Sequence, residues 1–238
     1  MTVRNEIPKE QYLKASDILL VVGPGGSNKP DIYIAMHPDG AVTAFNGHVD
    51  LGTGIRTALA QIVAEELDVD FGCITMVLGT TSAAPDQGPT IASETIQVAA
   101  VPLRRAAATA RRHLLARAEL AHGINPDTAV VEDGVIRAGD RTVAYADLIR
   151  GHERIEIDAD VATKPVEAYR IVGQPLPRTD IAAKVTGQWT YVHDVRVPGM
   201  LHGRVIRPPH AGYDHGELVG RSLISVDHSS VAGVPGLV

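Results

Sequence analysis

Two loop-to-helix junctions carry residue types that can hold an anionic or polar ligand. At the first, Gly52-Thr53-Gly54 leads into apolar positions Ile55, Leu59, Ile62, Val63 and Leu67 at helical spacing. The first N–H groups of a helix have no internal partners, and glycine lets a ligand approach the backbone closely. The second junction, Gln87-Gly88-Pro89-Thr90-Ile91-Ala92-Ser93, offers an amide and hydroxyls at the head of another helix. Each also has a plainer reading: a Gly-x-Gly packing turn in the first case, a Ser/Thr N-cap in the second. His48 and Asp50 lie beside the first junction and can orient a ligand or close a strand end. Asp194 can act as a general base or shape the turn before Pro198-Gly199.

Other chemistries leave no trace. Gly-x-Gly-x-x-Gly, the P-loop, Gly-x-Ser-x-Gly and His-Glu-x-x-His are all absent. His193, His202, His210, His215 and His228 crowd the last fifth without metal-site spacing, so surface positions are expected for them. No catalytic residue and no metal ligand is assigned. Arg104, Arg105, Arg111, Arg112 and Arg117 share one long helix and are expected to form a solvated or subunit-facing surface. A net charge of −6 and an aromatic content of 4% argue against nucleic acid as a partner. The single cysteine, Cys73, excludes an intrachain disulfide, a cysteine zinc cluster and an iron–sulfur centre held by this chain alone. No run approaches the ~18 apolar residues of a membrane span. No basic-then-apolar leader opens the sequence, so a soluble, cytoplasmic setting is expected.

The elements that must position these residues make an α+β chain. Residues 1–30 read as an extended lead-in in which Ile18–Val22 is a short apolar run ended by a Gly/Pro turn cluster, and 32–36 and 41–46 read as strands joined by a Pro38-Asp39-Gly40 turn. A helix follows Gly54. Its late Glu65 and Glu66 oppose the macrodipole, so tertiary packing must hold that turn. A strand over 73–78 precedes the second junction, and a long Ala/Arg-rich helix runs over 93–121, with a kink or break expected at Pro102. Short strands at 129–132, 135–138 and 142–144 follow, with Asp133-Gly134 as a hairpin turn. Residues around Pro165 and Pro175-Leu176-Pro177 read as an extended linker. Beyond it, 189–192, 201–206 and 222–226 read as strands.

Taken in order, three segments resemble the molybdopterin-binding large subunit of the xanthine dehydrogenase/aldehyde oxidase family, in its isoquinoline 1-oxidoreductase and nicotinate dehydrogenase branch. Gly47 to Leu67 looks like the family's acidic–apolar–Gly–Gln–Gly cofactor loop and following helix, with Thr53 where many members carry Gln. Pro85 to Ser93 looks like its Pro-Thr-x-x-Ser loop. Arg178 to Gly187, continuing through Tyr191, Asp194, Pro198-Gly199-Met200-Leu201 and Arg207-Pro208-Pro209-His210-Ala211, is similar to the opening of its hammerhead α/β domain.

The resemblance implies a partial molybdopterin-binding domain over 1–160, a linker over 161–180 and an incomplete hammerhead domain over 181–238. It implies cofactor contacts at Gly52, Thr53, Gly54, Gln87, Thr90 and Ser93. The cofactor would be molybdenum-molybdopterin, with the cytosine dinucleotide form among the candidates, shared with segments beyond this sequence. The implied activity is hydroxylation of N-heteroaromatics or oxidation of aldehydes with oxygen from water. The implied partners are an iron–sulfur small subunit carrying [2Fe–2S] clusters, the remaining molybdopterin-binding segment with its catalytic Glu, and a cytochrome acceptor through which the complex can meet a membrane. On this reading the chain is a split subunit or truncated portion, inactive alone. A structural or assembly subunit, or an inactive truncated homologue, is the alternative.

Overall fold

The computed structural model describes residues 14–24, 31–206 and 225–237. The chain divides into two units between Trp189 and Thr190.

The first unit is built on a five-stranded mixed sheet in the order β4-β3-β2-β1-β8, from β1 (Ile18–Gly23), β2 (Asp31–Met36), β3 (Val42–Asn46), β4 (Ile74–Leu78) and β8 (His152–Glu156). β1, β2 and β3 run antiparallel to one another in turn, while β3 with β4 and β1 with β8 are parallel pairs. The continuous apolar runs of β1 and β2 follow from burial on both faces. Leu19, Val21, Ile34, Val42 and Ala44 enter one cluster, and Ile18, Leu20, Val22, Ile32 and Phe45 the other.

Two helices cover the first face: α1 (Ile55–Leu67), which supplies Leu59, Val63 and Leu67, and α2 (Ala100–His122), which supplies Leu103, Ala106, Ala107, Ala110 and Leu114. Alanine at the buried positions of α2 lets it lie close to the sheet and α1. A small antiparallel meander, β5 (Val130–Glu132), β6 (Val135–Ala138) and β7 (Arg141–Ala144), follows α2. Asp133 and Gly134 both take positive φ, 49° and 74°, which a two-residue hairpin turn of this hand requires. The short α3 (Tyr145–Leu148) leads to β8, and α4 (Ile181–Val185) comes late in this unit.

Three expectations need correction. Pro102 does not end the helix: helical residues run from 94 through 122, and the proline, which has no N–H to give the Val98 carbonyl, lies three residues after an irregular stretch. The irregularity lies upstream, as a π-type turn over Thr95–Ala99 closed by the Ala100 N–H on the Thr95 carbonyl. β8 escapes the sequence reading because His-Glu-Arg-Ile-Glu is an edge strand with alternate residues exposed. In the C-terminal part, 189–192 and 201–206 form no strand, since no ladder partner lies beside them among the described residues. The 222–226 reading falls largely outside the described residues.

Residues 161–180 are extended but not free. Glu65 and Glu66, each 2% exposed, turn towards them from the end of α1. Glu65 Oε2 accepts the N–H groups of Arg170, Ile171 and Val172 at 2.9, 2.6 and 2.9 Å. Glu66 accepts the Lys164 N–H and the Arg104 guanidinium. Burial alone would raise the Glu65 carboxyl, but the three N–H donors and Lys164 bring it below its ordinary value. The packing that the macrodipole argument required is this set of contacts.

Candidate functional site

β3 and β4 are parallel, so residues 47–54 and 79–94 both leave the carboxyl end of that strand pair. This is where open α/β arrangements place ligands. The geometry joins the start of the first junction to the second. Gly47 donates to Gln87 Oε1 at 2.8 Å, and Val49 donates to Thr90 Oγ1 at 2.9 Å. Asn46 Nδ2 and Gln87 Nε2 both donate to the Ala99 carbonyl, at 3.0 and 2.8 Å. Buried His48 pairs through Nδ1 with Thr95 Oγ1 at 2.8 Å. Gly47 has a steric reason: a Cβ there would overlap the Pro85 carbonyl oxygen. His48 is thus part of the scaffold, holding the π-type turn to the end of β3.

The glycine turn behaves differently from the sequence expectation. Asp50 Oδ1 accepts the N–H groups of Gly52 (2.9 Å) and Gly54 (3.1 Å), and its Oδ2 accepts that of Arg56 (3.2 Å). Burial would raise this carboxyl, but the three N–H donors and the charge of Arg178 outweigh it and hold it below the ordinary carboxylate value. The Gly52 and Gly54 amides therefore point at a side chain, not outward. Gly52, at φ 97°, and Gly54, at φ 81°, are glycine because the turn needs left-handed backbone at both.

Gln87 has each end of its amide engaged once within the protein, Oε1 by the Gly47 N–H and Nε2 by the Ala99 carbonyl. Thr90 uses its oxygen as an acceptor and keeps an O–H to give. Thr53 and Ser93 are exposed, with no hydrogen bond to the Thr53 N–H or to either side chain among the described residues. No hydrogen bond joins 52–54 to 87–93 directly. Ala92 and Ser93 are consecutive non-glycine residues at φ 50° and 58°, a strained pair of the kind concentrated at functional sites.

The third segment reaches the first. Arg178 Nη1 donates to the Gly52 carbonyl at 2.9 Å, and the Thr179 N–H donates to Thr57 Oγ1 at 3.1 Å. Arg178 also forks onto buried Asp180, which Lys184 meets from the next turn. Side-chain bonding to Arg178 and Lys184 holds the Asp180 carboxyl far below its ordinary value. Sequence reasoning placed Arg178 in a motif but did not place it on the glycine turn; 126 residues separate the two.

The remaining candidates take plainer roles. Asp194 Oδ2 accepts the Tyr191 N–H, which is the turn role. His193, His202 and His228 are exposed, while His210 and His215 lie outside the described residues. Arg104 and Arg111 do not make a solvated surface; they neutralise buried Glu66 and Asp68. Arg112 pairs with Asp158 and Arg117 with Glu153. Among the described residues no helix is long and apolar enough to cross a membrane.

The chain is similar to several known proteins. The chain is 57% identical to one of the subunits of nicotinate dehydrogenase from Pseudomonas putida over 256 aligned positions, covering 100% of the chain and 22% of that protein. It is 29% identical to the beta subunit of isoquinoline 1-oxidoreductase from Brevundimonas diminuta, covering 87% of the chain and 31% of the relative. The chain thus spans between about a fifth and a third of the length of these relatives. Reconstituted CO dehydrogenase from Oligotropha carboxidovorans aligns at 26% identity and a TM-score of 0.41, over 56% of this chain and 18% of that one. Residues 18–191, which hold both loops and the Arg178 contact, match the model of the molybdopterin cofactor-binding domain, and the chain belongs to that family, in its xanthine dehydrogenase branch.

Proposed function

We propose that this chain is the part of a molybdenum hydroxylase that cradles one side of the molybdopterin cofactor. The observation that carries the reading is the meeting of the 47–54 and 85–94 loops at the carboxyl end of the β3–β4 pair, inside the matched family domain. The donor set fits a polar organic cofactor better than a bare metal ion, since no group of three or more His, Cys, Asp or Glu side chains able to hold a metal occurs among the described residues.

The molybdenum centre, once bound, supplies the two-electron redox chemistry by which oxygen from water enters an N-heteroaromatic carbon or an aldehyde. This chain's own residues bind and orient. Thr53 offers an N–H and a hydroxyl, Ser93 a hydroxyl, and Thr90 the O–H left over from its contact with Val49. Gln87 and His48 act from behind, fixing loop to strand, because a misplaced donor loses most of its value in a dry site. That two relatives are a nicotinate dehydrogenase and an isoquinoline 1-oxidoreductase supports an N-heteroaromatic substrate. They also support assembly with further subunits. The cytosine dinucleotide form, an iron–sulfur small subunit, a cytochrome acceptor, a cytoplasmic setting and a hammerhead domain from 181 onward belong to the same reading.

The test is molybdenum content in the assembled full-length protein. The double variant Thr53→Val, Ser93→Ala removes two outward hydroxyls, and at about 1 kcal/mol each it should weaken cofactor retention roughly 30-fold, read by elemental analysis after extended dialysis. A wild-type assembly without molybdenum overturns the reading. So does a double variant that keeps its molybdenum as well as wild type, which would favour the assembly-subunit alternative.

A further inference from the structure

The glycine turn contains its own anion. Three backbone donors at the head of α1, those of Gly52, Gly54 and Arg56, converge on the two oxygens of Asp50 at 2.9 to 3.2 Å. The same turn is fixed from outside by Arg178, whose Nη1 meets the Gly52 carbonyl at 2.9 Å. A Cβ at Gly54 would lie 3.4 Å from the Arg178 side chain, so the guanidinium stem lies flat against the turn. Asp180 then holds Arg178 by two hydrogen bonds, at 3.0 and 2.7 Å, and Lys184 balances Asp180. Charges alternate along this line: Asp50, Arg178, Asp180, Lys184.

Such an arrangement solves a problem set by the sequence. A helix N-terminus carries a partial positive charge and orphan donors, and glycines at 52 and 54 leave the turn with little conformational preference of its own. An empty turn of this kind would be reordered by whichever anion reached it. With a tethered carboxylate on the donors, the turn has one conformation before any ligand arrives.

We propose that Asp50 and Arg178 are positioning residues: Asp50 is a built-in anion that occupies the helix head, and Arg178 locks the turn around it, so that the loop meets its cofactor through Thr53 and not through the Gly52 and Gly54 amides. The statement about the cofactor rests on the cradle reading above; the statement about the built-in anion does not.

The experiment is chemical rescue in the full chain. Asp50→Ala empties the helix head and should lower Tm by about 5 °C. Sodium formate, compared with chloride at equal ionic strength, should restore about half of that loss by filling the vacated position, since a ligand bound only to the folded form stabilises it. Wild type should not respond to formate. Asp50→Asn, which fills the space but sets an amide donor against the Arg56 N–H, should be destabilised and should not respond either. Arg178→Gln should lower Tm, with Arg178→Lys recovering less than half, because Lys lacks the fork that spans Gly52 and Asp180. Equal formate responses in all of these proteins, or an Asp50→Ala variant that melts like wild type, overturn the proposal. If Asp50→Ala does not fold, the milder Asp50→Ser takes its place: a formate response larger than that of wild type supports the proposal, and one no larger overturns it. Molybdenum content of the assembled protein is measured alongside. Rescue by formate with no molybdenum in wild type would leave the built-in anion standing and remove the cradle reading.

Discussion

Ala92 and Ser93 sit at φ 50° and 58° at the head of the second helical segment, where neither residue type is comfortable. An L-residue in the left-handed region gives up about 1–2 kcal/mol relative to glycine, so the surrounding contacts must impose this conformation. The consequence is testable at one position. Ala92→Gly should stabilise the chain by about 1 kcal/mol, a rise of about 3 °C in Tm, because it relieves the strain and removes only an exposed methyl. Equal or lower stability in a denaturant melt would show that the methyl makes a contact outweighing the strain. At this scale the sequence showed which residues gather but not which way they face. Gln87, Thr90, Ser93 and the glycines were legible from residue type and order. That Asp50 turns onto Gly52 and Gly54, and that Gln87 is held at both ends, depends on side-chain directions that spacing does not encode. Arg178 was invisible as a partner of Gly52 because only the tertiary fold closes a separation of 126 residues.

At the scale of elements, the end of α1 shows how a sequence conflict becomes a docking device. Glu65 and Glu66 stand at the wrong end of a helix dipole and are nonetheless buried. Both are tolerated because the 164–172 segment brings N–H groups and cations to them, among them Lys164 and the three consecutive amides on Glu65, while Arg104 reaches Glu66 from α2. Glu65→Ala should cost about 3 kcal/mol, since it orphans three donors at once. The Arg170, Ile171 and Val172 amides should then exchange with solvent far faster than in wild type, by hydrogen exchange. Protection unchanged at these three amides would mean that the segment is held elsewhere. The regular elements up to Ala144 were legible because apolar runs and turn residues mark them. The conflict at Glu65 and Glu66 correctly signalled a tertiary partner without naming it. β8 was not legible, since an edge strand needs only one apolar side, and its pairing with β1 spans the whole unit.

On the scale of the molecule, the two units differ in how much they bury. The first places residues of both helices against a sheet covered on both faces, whereas no described residue from Thr190 onward is buried. Leu201, Val205 and Ile206 stand 73%, 79% and 87% exposed in an extended segment with the composition of a strand. A strand is stable only when its N–H and C=O groups have a ladder partner, and none of the amides of 201–206 finds a backbone acceptor among the described residues. Two outcomes of amide exchange separate the ways this can be resolved. In the 238-residue chain the amides of 201–206 should exchange without measurable protection, while those of Phe45 and Val77 in β3 and β4 should be strongly protected. In a polypeptide extended to the length of the relatives, the hammerhead reading requires the same amides to become protected, because that domain would pair them with further strands. Protection in the short chain would show that a partner already lies within it. Lack of protection in both would remove the hammerhead reading for this segment, while the cofactor cradle, which rests on residues before Trp189, would be untouched.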